Sequence, residues 1–373
     1  MRISRLIISG VLVAGLAACG TDNHATPADN LASTLEPIRS EAAIPGMAAA
    51  VWRDGRLIAL GATGVRKFGD PTPVTVDDQW HLGSDTKAMT ATLIGLYIDR
   101  GRLHFDDRLG TLFAGDPIDP VNANVTLEQL MQHRSGMADG PPDSDSDDYL
   151  HGTPSDIRTR AVRAVLAAPP ARPVGTYAYS NMGYVTLGVV LERITGKTWE
   201  DLMRSELFGK LEMDSCGFGP PGTRDTVDQP WGHTVVDDKP VPMAPGDPAS
   251  DNPPALGPAG TVHCSLTDWG KFLAVHLAGA RGESTMLTKD TMTRLHQPPS
   301  GGDYAAGWMV ADQPWAGGRV LAHDGSNTFW YASAWIAPEK NMVLTVVANR
   351  ADERATTGIG KAVTALADTY AGH

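Results

Sequence analysis

Three cysteines in 373 residues are too few for a disulfide framework. Positive charge is also scarce: 31 Lys and Arg stand against 43 Asp and Glu, a net charge of -12. An acidic chain of this kind is a poor binder of nucleic acid or of an anionic membrane surface. Internal repeats are missing, which excludes a solenoid or an array. The apolar stretch nearest the N-terminus, Leu6 to Leu16, is too short to span a bilayer. What is plentiful is Gly (40) and Pro (27), hence loops, and a hydrophobic share of 42%, enough for one large elaborate domain or two interleaved ones.

The first residues read as a leader. Arg2 and Arg5 precede the apolar stretch, which ends in Leu16-Ala17-Ala18-Cys19. Leucine, small residues and cysteine in that order resemble a bacterial lipobox. The expectation is a signal peptide over 1–18, a lipidated Cys19 as mature N-terminus, and a polar tether over 19–35 ("TDNHATPADN"). The protein would then sit on the periplasmic side of a membrane in the cell envelope, held by its lipid alone. Ordinary cleavage beside an incidental cysteine is the plainer alternative. In an exported protein the remaining Cys216 and Cys264 can pair, closing a loop of about 49 residues; the alternative is two buried free thiols.

Periodicity places the elements. Residues 30–43 suit a short amphipathic helix, and Asp54-Gly55 between two apolar runs (47–64) signals a hairpin. "AMTATLIGLYIDRG" is apolar nearly all round, as a central helix would be, with Gly101 at its end. Thr126 with Gln129, and Ser265 with Asp268, suit capping boxes; residues 182–196 form another helix ending in glycine. The far end is β-rich (319–325, 329–337, 341–349), with a turn at 338–340, and closes in a helix over 356–372. The predicted fold class is α/β (α+β): one antiparallel sheet assembled from both chain ends, flanked by the terminal helices, with an inserted all-helical region. The domain spans 36–373, its α/β part 36–92 and 255–373 and its helical part 93–254.

Three triplets suggest chemistry. In "HLGSDTKAMT" (81–90), Ser84 and Lys87 share a helix face, so the amine can reach the hydroxyl. In apolar surroundings the amine is neutral and can accept a proton. The serine amide at a helix start can serve an oxyanion. Alone the pair is weak, since Ser-x-x-Lys arises by chance and a capping serine with an exposed lysine explains it as well. Tyr179-Ser180-Asn181 adds a phenol, more easily ionised near an ammonium, and an amide that both donates and accepts. His323-Asp324-Gly325 ends a β-rich run, where Gly325 admits close backbone approach.

Serine-lysine, tyrosine-x-asparagine and a basic-x-glycine triplet, in that order, resemble the serine β-lactamase and penicillin-binding-protein family. The gaps of about 95 and 145 residues suit its class C-like branch, as do "LMQHRSGM", "YSNMGYVTLG" and "PAGTVHCSLTDWGKF". The similarity covers roughly Ala48 to Asn349. It implies a β-lactamase/DD-peptidase-like fold and an acyl-enzyme formed on Ser84, with Lys87 and Tyr179 sharing its proton and later activating water. It further implies that Asn181 holds the substrate amide or Lys87. The oxyanion hole would be the amides of Ser84 and Ser326, and His323 would stand where many relatives carry the lysine of Lys-Thr-Gly. No metal or cofactor is implied.

Histidine at that place departs from the strong lactamases, because it is charged only below about pH 6.5 unless perturbed. His-x-Gly is familiar instead in peptidases and esterases of the superfamily. The expected activity is therefore hydrolysis of a small ester or a D-alanyl-type amide, the partner being a small-molecule or peptidoglycan-type substrate. The alternatives are a class C-like β-lactamase and a non-catalytic cell-wall-binding protein. Trp330 and Tyr331 suit a pocket floor or core packing. "DSDSDD" (143–148) lacks the glycine and glutamate of a calcium loop and reads as a solvated loop; His133 and Arg134 read as structural. Oligomeric state is open.

Overall fold

A computed structural model describes residues 29–140, 151–283 and 286–372. The leader, Cys19, most of the tether and the 143–148 segment lie outside the described residues.

A seven-stranded sheet forms the frame, in the order Asp29–Asn30, Arg56–Gly64, Gly46–Arg53, Met342–Ala348, Tyr331–Ala337, Gly318–Ser326, Met309–Gln313. Every pairing is antiparallel except the first, where Asp29–Asn30 runs parallel to Ala59–Leu60. The hairpin at Asp54-Gly55 forms with both residues at positive φ, 54° and 71°, the geometry that favours glycine and aspartate there. The N- and C-terminal strands meet in the middle, Met47 pairing with Ala348. Met342–Ala348 is buried on both faces, which explains its unbroken apolar run.

One face packs on the helices Ala32–Glu41 and Glu353–Tyr370 through Leu35, Ile44, Leu344, Val346, Ile359 and Leu366. The other face meets the larger core around the helix Thr86–Asp99, of whose 14 residues 12 are buried. Gly101 follows it at φ 66° and closes its end. The Thr126–Gln129 capping box is complete. The Ser265 cap is half of one: Ser265 accepts from the Asp268 amide, but the Asp268 carboxylate turns away to hold Ser215 and Lys271.

Three expectations about boundaries are corrected. The fold already includes Asp29–Asn30 and the segment before 36, because Leu31 and Leu35 are buried under the sheet. A division at residue 92 would cut the helix Thr86–Asp99 in half. The inserted region is not all-helical: Gly232–Val236 and Lys239–Met243 form a hairpin, and Gly217–Phe218 joins a small sheet with Val262–Ser265 and Gln79–His81. The hairpin hid because its turn is Asp237-Asp238, both at positive φ, and because Pro240 and Pro242 interrupt a strand that has an open edge.

A disulfide joins Cys216, just ahead of the strand Gly217–Phe218, to Cys264 on the neighbouring strand, their Cα atoms 4.2 Å apart. It links positions 48 residues apart. In the chain-entropy picture this contributes about 4 kcal/mol. Cys216→Ser with Cys264→Ser, or reduction of the wild type, is expected to lower stability by about 2–4 kcal/mol in urea unfolding. A midpoint insensitive to reductant would contradict this.

Candidate active site

The site is built where the end of the strand Gly318–Ser326 presses on the turn that starts the central helix. A Cβ at Gly83 would lie 2.3 Å from the Ser326 amide nitrogen, and one at Gly325 would lie 2.0 Å from the Leu82 carbonyl oxygen. Only glycine permits such backbone contact. The Thr86 hydroxyl pins the turn, donating to the Gly83 carbonyl at 2.7 Å and accepting from the Val262 amide at 3.1 Å. Between His81 and Tyr97, Ser84 is the one residue that is not buried. Its hydroxyl caps no helix.

Lys87 Nζ is fully buried and has three partners: Ser84 Oγ at 2.9 Å, Asn181 Oδ1 at 2.8 Å and the Ala259 carbonyl at 2.7 Å. Burial lowers its pKa to about 7, against the pull of carboxylate charge, Asp139 foremost. A neutral amine has two hydrogens and one lone pair. Two partners are acceptors only, and the third is a hydroxyl. The arrangement fits an amine that donates to Asn181 and Ala259 and accepts the proton of Ser84. Asn181 is itself placed by its amide, which donates to Asp139 at 2.8 Å.

Tyr179 lies over the same centre, with Lys87 Nζ 4.7 Å from its ring centroid and its hydroxyl hydrogen-bonded to Ser84. The expected easier ionisation of this phenol is not found. Part of the ring is open to the cleft, but desolvation on its inner side raises the phenol's pKa, and the bond to Ser84 offsets only part of that. The lysine faces the ring rather than the oxygen, so it lends the phenolate little charge.

His323 lies in the same cluster, buried, with Nε2 3.0 Å from Tyr304 Oη. Burial first, then Lys87, hold its pKa at about 3, against a backbone contact with Asp324. It is thus uncharged across the working range. His133 lies tilted against Tyr179, ring centroids 4.1 Å apart, and accepts from the Ser180 amide through Nδ1, which fits the structural role read for it. Trp330 is core, stacked on His81, and Tyr331 lies in a 260 Å³ cavity beside the C-terminal helix, so neither floors the site.

The structure therefore brings Ser84, Lys87, Tyr179, Asn181, His323, Gly325 and Ser326 together, and joins Cys216 and Cys264 at the small sheet. Sequence reasoning missed the Ala259 carbonyl, Asp139, Tyr304 and Asp85. The first lies in a quoted family segment, and Asp85 stands between Ser84 and Lys87 without belonging to the motif. Asp139 and Tyr304 leave no local signal. Among the described residues no three His, Cys, Asp or Glu side chains converge as a metal site would require.

A family model described as "Beta-lactamase" matches residues 31–368. The chain is 28% identical over 331 residues to "Penicillin-binding protein 4" of Amycolatopsis lactamdurans, covering 84% of this chain and 83% of that protein. It is 26% identical over 356 residues to "Unguisins hydrolase" of Aspergillus campestris, covering 88% of this chain but only 63% of that longer protein. The fold matches the solved structure of SurE with a TM-score of 0.74 at 24% identity, over 91% of this chain and 75% of that one.

Acylation is expected to rise with pH through about 7, as Lys87 loses its proton and gains the lone pair that accepts from Ser84. Ser84→Ala should abolish ester turnover. Lys87→Met should lower it about 10²–10⁴-fold, and Lys87→Arg should not rescue it, since a guanidinium stays protonated. Pre-steady-state acylation with p-nitrophenyl acetate reads all three; a pH-independent rate between 5 and 9 would refute the role of Lys87.

Proposed function

The chain belongs to the beta-lactamase family, and from that premise we propose that it is a serine hydrolase acting through an acyl-enzyme on small esters or D-alanyl-type amides. The observation that carries this is the buried Lys87 amine, 2.9 Å from Ser84 Oγ with two pure acceptors behind it.

Ser84 Oγ attacks the substrate carbonyl while its proton passes to Lys87 Nζ. The negative charge that develops on the carbonyl oxygen is met by the amides of Ser84 and Ser326, and in support the glycine contacts press the Ser326 backbone onto the turn that carries Ser84. Tyr179 keeps its hydrogen at neutral pH and donates it to the leaving oxygen or nitrogen as the tetrahedral intermediate collapses, recovering a proton from Lys87. Water then attacks the acyl-enzyme by the same route reversed. Asn181 is occupied by Lys87 on its oxygen, leaving its amide hydrogens for a substrate carbonyl.

The charge state of His323 argues for the substrate class. A neutral imidazole offers no standing positive charge to a carboxylate, so substrates that depend on one, penicillins and cephalosporins among them, gain little at that place. The similarity to a penicillin-binding protein and to a hydrolase is in keeping with this reading. Short acyl esters, which carry no carboxylate, should be turned over faster than β-lactams. His323→Lys should raise kcat/KM for carboxylate-bearing substrates by about tenfold, the scale of one charge-assisted hydrogen bond, and leave neutral esters nearly unaffected. A fluorophosphonate probe should label Ser84. Absence of labelling, or penicillin hydrolysis near the diffusion limit, would overturn the reading.

We also propose that the mature protein is exported and held at the cell envelope by lipid on Cys19. Support comes from the leader and from Leu16-Ala17-Ala18-Cys19. No helix among the described residues is long and apolar enough to cross a membrane. Cys19→Ser should move the protein from the membrane to the soluble fraction; unchanged partition would count against lipidation.

A further inference from the structure

The hydrogen bonds behind Ser84 run in one direction, and following them assigns a proton. Tyr184 Oη donates its single hydrogen to the Met131 carbonyl at 2.7 Å. Toward the neighbouring Tyr304 the Tyr184 oxygen can then only accept, and this contact is one of the causes that keep the Tyr304 proton in place. That commits the hydrogen of Tyr304. The Tyr304 oxygen, 3.0 Å from His323 Nε2, must therefore accept there, and Nε2 carries the proton. His323 is neutral, buried beside Lys87, so its other nitrogen, Nδ1, is a bare acceptor.

Facing Nδ1 at 3.5 Å is Asp85 Oδ1. Neither Asp85 oxygen has another hydrogen-bond partner, and neither has Nδ1. Gly325 roofs the carboxyl so closely that a Cβ there would lie 2.7 Å from Oδ2. Two acceptors face to face in a buried space, with no proton between them, would be an uncompensated repulsion.

We propose that Asp85 is held as a neutral carboxylic acid that donates its hydrogen to His323 Nδ1, and that this bond fixes the tautomer and orientation of the imidazole beside Ser84. Asp85 is thus a positioning residue of the acyl-transfer site, and the inference rests on the reading of that site given above. The charged and titratable groups that face it are Lys87 on its own helix, His323 and Asp324 on the neighbouring strand, Tyr179 across the cleft and Tyr331 on the next strand. Burial and Asp324 favour the acid, Lys87 the anion, and burial is the largest of the three. The consequence for the reaction is twofold. An anionic Asp85 would favour the ammonium form of Lys87, whereas the neutral acid leaves the amine a base. The neutral acid also keeps negative charge away from the residue beside the nucleophile, where the oxyanion develops.

The test uses the full-length wild type without substrate. Carboxyl ¹³C spectra, with Asp85 assigned by difference against Asp85→Asn, should show a protonated carboxylic acid at neutral pH, and ¹⁵N spectra should show His323 as the Nε2–H tautomer. A carboxylate at Asp85, or an Nδ1–H tautomer, overturns the proposal. In kinetics, Asp85→Ala should lower kcat/KM for a neutral ester about tenfold, the worth of one hydrogen bond to the ring. Asp85→Asn, neutral and of the same shape with an N–H to donate, should recover most of that loss. Equal losses in the two variants, with unmoved His323 signals, would reduce Asp85 to packing and overturn the proposal. If the wild type is not labelled by fluorophosphonate, the acyl-transfer reading fails, while the carboxyl and tautomer signals still decide the state of Asp85.

Discussion

Everything at the site depends on a lysine amine that has been taken out of water. Lys87 is fully buried, and its stem runs inside a helix that is itself buried on all sides. A buried ammonium without a carboxylate in direct contact is costly, so the base form gains. The three partners of Nζ convert that cost into direction, because two can only accept and the third can give up a proton. Without the desolvation, Ser84 and Lys87 would be a helix start with a solvated charge nearby.

Backbone contact supplies the second constraint. A strand end and a helix start are brought together at Gly83 and Gly325, and a third glycine, Gly307, would place a Cβ 2.5 Å from the Ala88 amide. These contacts bring the backbone of Ser326 against the turn that carries Ser84. They also bury Asp85 and His323, so the geometry of an oxyanion site and the suppression of charge around it come from the same packing. The strand that carries Gly325 is held in register by its two neighbours, Tyr331–Ala337 and Met309–Gln313.

Suppression of charge is the theme of the cluster. Lys87 and His323 are shifted toward neutrality by burial, and Tyr179 is kept in its protonated form by the same cause. A low-dielectric cluster of neutral donors and acceptors is suited to stabilising charge that appears only during reaction. It is ill suited to holding a substrate by a permanent ion pair, which is why the substrate class follows from His323 more than from any pocket dimension.

Sequence alone determined the chemistry-bearing residues and the coarse plan. Ser84, Lys87, Tyr179, Asn181 and His323 were legible because their triplets occur in order at family spacing, and the terminal strands because period, turns and apolar runs are local properties. The Asp54-Gly55 hairpin and the Thr126 capping box were legible for the same reason. Tertiary structure decided what those residues are. Whether Tyr179 ionises, whether His323 bears charge, and whether Asp85 is a spacer or an acid depend on burial and on partners up to 238 residues away, as in the contact of Asp85 with His323. The Ala259 carbonyl and the phenol of Tyr304 enter the site for the same reason: desolvation and hydrogen-bond direction are properties of an assembled interior, and no stretch of chain states them by itself.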